Sequence, residues 1–221
     1  MASGLLMAAR PPQALGFLTP THVFSGGNGN GNSVTATGSI SGDFAIGIVS
    51  DNDNSIPDIS GMTGVTAIGD GIASDESGND AAIRCVGLFL TSSGQALPAG
   101  GASRIAWTVW RGVATDILTG MPSGASAAGR FAYLATSGAN WLVPAMVPTR
   151  AAYVLALGKR NGTTDTRFTN MTELHVQNAA SGQAQIFRTA AEVTNFVQDT
   201  YAISATQARA AMTFPLYGAA A

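Results

Sequence analysis

The chain has little charge and few of the residue types that build catalytic centres. Charged residues make up 11% of the 221 residues, against roughly 25% in an average soluble domain. There is one cysteine, which excludes an internal disulfide, and the two histidines belong to no HExxH or CxxC pattern that would predict zinc. With 11 Lys and Arg against 13 Asp and Glu, the composition argues against a basic nucleic-acid binder.

Long apolar runs and nucleotide or nucleophile motifs are missing as well. No uninterrupted apolar run approaches the roughly 18 residues of a membrane span, so we expect no membrane insertion. The N-terminal stretch GLLMAARPP is too short for a secretion signal, which predicts a chain used as made in a cytoplasm. The sequence contains no G-x-S-x-G, GxxxxGK[ST] or GxGxxG. We therefore predict a non-enzymatic protein with no catalytic residues, cofactor or firm metal site.

Short alternating segments dominate what is present. About eleven runs rich in β-branched and aromatic residues are separated by Gly, Asn, Asp, Ser or Pro, which is typical of a sandwich or jelly roll. Ile105, Trp107 and Val109 share one face of such a run. The pattern predicts an all-β, jelly-roll-like β-sandwich over residues 32–221.

Residues 1–31 differ from the rest of the chain. They combine apolar residues and three prolines with the stretch GGNGNGN, which reads as a flexible linker. Such a segment cannot build its own core, so we expect an extended arm that anchors the protein to a partner. Its assembly residues would be the apolar ones, namely Leu5, Leu6, Met7, Leu15, Phe17 and Leu18.

The sandwich region contains a weak internal repeat. Residues 44–65 align without a gap on residues 153–174, and apolar positions coincide, as at Phe44 with Tyr153 and Met62 with Met171. The alignment predicts two related halves, at about residues 38–115 and 148–218. Asn52 falls on Asn161, but the acids around it have no counterpart, so the tetrad DNDN mainly ends a strand and turns the chain.

Acidic residues remain as weak candidates for a Ca²⁺ site or an interface. Residues 11–83 hold eight acids and no Lys or Arg, whereas the later part of the chain is rich in arginine. Facing loops of two copies could therefore attract each other, with Arg150, Arg160 and Arg167 as the basic side. The weak metal candidates are Asp51, Asp53, Asp70, Asp75 and Asp80.

Several short motifs carry a family resemblance over about residues 38–218. They are Gly42-Asp43, Pro57, Gly61-Met62-Thr63, Trp110-Arg111-Gly112-Val113 and Asn170-Met171-Thr172-Glu173. With these motifs the chain resembles small bacteriophage tail and fibre-associated β-sandwich proteins, although methionine replaces the usual aromatic at positions 62 and 171, and Trp replaces the commoner Tyr at position 110. The motifs mark strand ends rather than a chemical site.

The resemblance implies a virion structural protein. We expect a tail, baseplate or fibre component, made in the host cytoplasm, that joins other virion proteins through the arm and forms a symmetric homo-oligomer. A head-decoration or head-fibre protein is an alternative within the same class. A lectin module that binds a host surface glycan is an alternative from another class, with Trp110 as the candidate exposed aromatic because it faces away from Ile105, Trp107 and Val109.

Overall fold

The computed structural model describes residues 16–51, 55–73, 81–99, 104–118, 132–161, 168–179 and 182–221. Within these ranges the chain forms twelve strands and no helix. No described helix is therefore available to cross a membrane. The strands are β1 Thr21–Asn28, β2 Val34–Thr35, β3 Phe44–Asp51, β4 Thr66–Ala73, β5 Ala81–Phe89, β6 Ala96–Leu97, β7 Arg104–Arg111, β8 Ala132–Val143, β9 Tyr153–Asn161, β10 Met171–Ala179, β11 Gly182–Thr189 and β12 Asp199–Leu216.

Ten of these strands form two five-stranded antiparallel sheets. The first sheet has the order β1-β7-β3-β5-β4, and the second has the order β10-β11-β9-β12-β8. Strands β2 and β6 pair separately. Buried side chains of both sheets meet in one apolar cluster, and strands of the first sheet pack against strands of the second. The prediction of an all-β sandwich is confirmed.

Both sheets have the same internal order. We number the five strands of each sheet from one to five as they follow along the chain. In both sheets they then lie side by side in the order one, five, two, four, three. The third and fourth strands of each set also share a bulge, at Ile68 in the first sheet and at Leu174 in the second. The relatedness of the two halves stays a prediction, and this equal arrangement agrees with it.

Alternation along the central strands divides the core. In β3, Phe44, Ile46 and Ile48 point between the sheets, whereas Ala45 and Val49 point outward into a second apolar cluster with Trp107. Strands β5 and β7 supply further members, and Leu97 of β6, Met62 and Ala36, the residue after β2, cover them from outside. The first sheet is therefore buried on both faces.

Each sheet carries a tryptophan against a central glycine. In the first, a Cβ on Gly47 would lie 2.5 Å from the indole of Trp107. In the second sheet, the Lys159 ammonium donates to the main-chain oxygen of Asp51 across the sandwich, so the Lys159 side chain points inward. The preceding residue, Gly158, therefore faces outward, where the indole of Trp141 covers it. A glycine at each position lets an indole lie directly on the strand.

The boundary predicted for the arm is wrong. Residues 21–28 form β1, an outer strand of the first sheet, although they include part of GGNGNGN. Gly27 allows β7 and the His175 side chain to lie close to β1, because a Cβ on Gly27 would lie 2.6 Å from the Ile105 carbonyl oxygen and 2.7 Å from Nε2 of His175. The sandwich therefore begins before residue 32.

Candidate functional surface at the termini

The motif residues Gly42-Asp43 and Arg111-Gly112 build one turn. Nε and Nη2 of Arg111 donate to the two carboxylate oxygens of Asp43, each at 2.9 Å, and Asp43 also accepts the N–H of Ile40 at 2.9 Å. Gly42 and Gly112 have φ of 89° and 74°, in the left-handed region that glycine adopts at little cost. Asp43 raises the pKa of the Arg111 guanidinium through their hydrogen bonds. The motif thus has a structural role.

Beside this turn, both ends of the described chain meet. Leu18 N–H donates to the Ala219 carbonyl at 2.8 Å, and Ala221 N–H donates to the Gly16 carbonyl at 2.9 Å. On the other side, Ala219 N–H donates to the Gly112 carbonyl at 2.7 Å. Residues 217–221 therefore lie between residues 16–18 and residues 112–114.

Arg150, in the connection between β8 and β9, fixes this arrangement. Its guanidinium carbon lies 3.8 Å from the centroid of the Phe17 ring and 4.9 Å from that of Tyr217, and Nη2 donates to the Gly218 carbonyl at 2.9 Å. Arg150 was predicted as part of a basic surface between copies, but these contacts lie within one chain. Arg160 has no described side chain, and Arg167 lies outside the described residues.

An apolar surface surrounds the termini. Five large apolar residues among those that the structure describes are exposed to solvent, each by 45% to 65%. We call them the terminal surface. They are Phe17, Leu18, Ile40, Val147 and Val197.

Contacts made by neighbouring residues place the five positions near one another. Leu18 packs against Gly112, next to the Asp43–Arg111 turn that also binds the Ile40 N–H. Val147 precedes Thr149, whose hydroxyl and N–H contact the Tyr217 hydroxyl at 3.1 and 3.0 Å. Val197 lies near Val147, because Met146 and Phe196, the residues that precede them, exchange two main-chain hydrogen bonds.

Two of the predicted arm residues belong to this surface. Phe17 is 55% exposed and Leu18 is 45% exposed. Leu5, Leu6, Met7 and Leu15 lie outside the described residues. Ile40, Val147 and Val197 were not predicted, because single apolar residues in loops follow no period that would mark them.

The prediction that Trp110 is exposed is wrong. Trp110 is fully buried in the core between the sheets, where its indole N–H donates to the Thr108 hydroxyl at 3.0 Å and its ring contacts His22 and Tyr153. Its face of β7 looks toward the second sheet rather than toward solvent. The outward face, with Trp107, is covered by the second apolar cluster. Trp110 cannot stack on a sugar in this arrangement.

The remaining reactive side chains are buried or engaged. Cys85 lies in the core, and burial raises the pKa of its thiol, which makes a reactive thiolate unfavourable. Burial also lowers the pKa values of His22 and His175. The described residues hold no group of three or more His, Cys, Asp or Glu side chains that could bind a metal ion.

The acidic candidates are only partly described. Asp70 pairs with Arg84 at 3.2 Å. Burial lowers the pKa of Arg104, and the negative charge of Asp51 opposes this by favouring the charged guanidinium. Asp53, Asp75 and Asp80 lie outside the described residues. A Ca²⁺ site at the acidic loops therefore stays a prediction.

Comparison of the chain with protein-family models, with curated proteins and with solved structures gives no match.

Proposed function

We propose that the protein is a non-enzymatic structural component of a bacteriophage or phage-like particle and that it docks on another virion protein through its terminal surface. The clustering of the five exposed apolar side chains at the place where residues 1–15 join the sandwich is the observation that favours this docking. Contiguous exposed apolar groups on a soluble protein commonly mark a protein-binding site.

The composition of the segment before Gly16 favours docking on the same partner. It carries Leu5, Leu6, Met7 and Leu15, which together with the terminal surface would give an apolar interface continuous with the arm. Low charge, at 11% of residues, suits a protein whose surface is largely covered by neighbours. The assignment to a virion rests on the resemblance of the Gly42-Asp43 and Trp110-Arg111-Gly112-Val113 motifs.

Paired lysines on the terminal surface test the docking. We expect Val147→Lys with Val197→Lys to reduce incorporation into particles by at least about 10-fold, since desolvating two ammonium groups at an apolar interface costs more than the roughly 1.4 kcal/mol that this factor requires. Thr63→Lys, at an exposed position on the loop over the first sheet, is the matched control. Quantitative immunoblotting of purified particles measures incorporation. Normal incorporation of the double variant would contradict the docking proposal.

Immunogold electron microscopy of the same particles separates the alternatives. Label at the tail, baseplate or fibres supports the first assignment, whereas label on the capsid supports head decoration. Particles without the protein would overturn the virion assignment.

A truncation tests the arm itself. Deleting residues 1–15 should leave a folded sandwich with a melting temperature within about 2 °C of the full chain, because β1 and its neighbours stay intact. Particle incorporation should fall strongly. A deletion reaching residue 31 would instead remove β1 and expose β7, so it would not test docking. Normal incorporation of the shorter deletion would exclude the arm as an anchor.

A further inference from the structure

Both histidines of the chain lie at one seam of the sandwich. His22 is on β1, the outer strand of the first sheet, and His175 is on β10, the outer strand of the second. These two strands pack against each other. His175 pairs across from Ile186, a member of the core between the sheets, so its ring points inward.

His22 belongs to a stack that crosses the sandwich. Its ring centroid is 5.1 Å from that of Trp110, which is 5.9 Å from Tyr153, and the Arg188 guanidinium lies 4.9 Å from the Tyr153 ring. Nε2 of His22 is 2.7 Å from the Ser25 hydroxyl oxygen. Burial lowers the pKa of His22, a backbone hydrogen bond at Phe24 opposes this, and the positive charge of Arg188 adds to the lowering.

His175 lies against the backbone of β1. A Cβ on Gly27 would be 2.7 Å from Nε2 of His175 and 2.8 Å from Oε1 of Gln177, so a glycine is needed for this approach. Nε2 is buried without a partner at hydrogen-bond distance, although Gln177 is near enough to favour the charged ring. Burial outweighs Gln177 and lowers the pKa of His175.

The surrounding charges do not compensate a protonated ring. Among the described residues Glu173 is the acid on the elements packed against the seam, and it pairs across from Phe187 before the bulge that turns His175 inward. Strand β2 contributes no titratable group. The charged or titratable groups on the other elements are Arg104 and Arg111 of β7, Tyr153, Lys159 and Arg160 of β9 and Arg188 of β11.

We propose that the seam between β1 and β10 is an acid-sensitive closure, which holds β1 and residues 16–20 in place while His22 and His175 are neutral and loosens when both are protonated. The imidazole rings provide the change in charge between about pH 7 and pH 5. Because β1 follows residues 16–20 directly, its release would also detach Phe17 and Leu18 from the C-terminal residues 217–221. The proposal concerns the isolated chain and does not depend on the virion assignment.

The sign of the pH effect follows from the lowered pKa values. The unfolded or opened chain binds protons more readily than the closed one, so the closed seam is favoured above the ordinary histidine pKa of about 6.5. This contribution is lost as pH falls through the lower pKa values of the folded state. Each unit of lowering corresponds to a tenfold change in the closing equilibrium.

Hydrogen exchange of the full chain tests the closure. After correction for intrinsic rates, protection of β1 amides should fall by at least about 10-fold more than that of β3 between pH 7.5 and pH 5. The two imidazole NMR resonances should titrate below 6.5. The variant His22→Gln with His175→Gln should keep β1 protected at pH 5, and its circular dichroism at pH 7.5 should match the wild type. Protection of β1 that ignores pH, or that falls equally in the double variant, would overturn the proposal.

Discussion

Alanine at Gly158 should destabilise the sandwich by about 3 kcal/mol, the upper part of the usual range for overpacking a core. The added methyl would overlap Cζ2 of Trp141 and lie 3.1 Å from the Ala210 carbonyl oxygen. Trp141 cannot move aside easily, because its ring meets Phe168 and Phe187 at centroid distances of 5.3 and 6.4 Å. Strain must therefore spread into β9 and β12.

Gly47 offers the same experiment in the first sheet. A methyl there would lie 2.5 Å from Cε3 of Trp107 and 2.9 Å from the Ala106 carbonyl oxygen, so Gly47→Ala should cost a similar amount. Gly16→Ala is the control, since its nearest neighbour would be Ala221 at 3.7 Å, an ordinary contact. Chemical denaturation measures all three variants.

A double variant shows whether the indole is the cause. If the clash with Trp141 dominates, Gly158→Ala combined with Trp141→Phe should cost less than the sum of the single variants. Additive costs would mean that the destabilisation comes from the β9 backbone instead. A Gly158→Ala variant as stable as Gly16→Ala would contradict the packing account altogether.

Much of the fold could be predicted because its signals are local. Period-two alternation and turn residues suffice for an all-β sandwich, and the aligned segments 44–65 and 153–174 start at β3 and β9, the central strands of the two sheets. Alternation also separated Trp110 correctly from Ile105, Trp107 and Val109. It could not tell which face was buried, because both faces of β7 are covered.

The terminal surface could not be predicted, because tertiary contacts create it. Nothing in the sequence near Arg150 indicates that Phe17 and Tyr217 lie on its guanidinium, far away along the chain. Composition was also misleading at residues 26–28, where Gly-Gly-Asn reads as a linker but forms strand β1 beside β7. Glycine permits both outcomes, and the neighbouring strand decides between them.

Removing the Asp43 carboxylate should give the second large effect. Asp43 is 1% exposed and accepts two hydrogen bonds from the Arg111 guanidinium and one from the Ile40 N–H. Asp43→Ala should therefore destabilise the protein by about 3 kcal/mol, since hydrogen bonds to charged groups contribute roughly 1.5–3 kcal/mol each and part is recovered by hydration of Arg111. Asp116→Ala, at an exposed turn position, should change stability little.

An Arg111 variant and a salt titration show whether the Asp43–Arg111 pair stabilises the turn or is a surface salt bridge with little effect on stability. Arg111→Met leaves the buried carboxylate without its guanidinium, so it should lower the denaturation midpoint clearly, whereas 1 M salt should shift the wild-type midpoint little because Asp43 is shielded from solvent. Since Gly112 lies beside Leu18, loss of Asp43 should also raise hydrogen exchange at Leu18 and Ala219. An Asp43→Ala midpoint equal to that of Asp116→Ala would show that the motif does not hold the termini together.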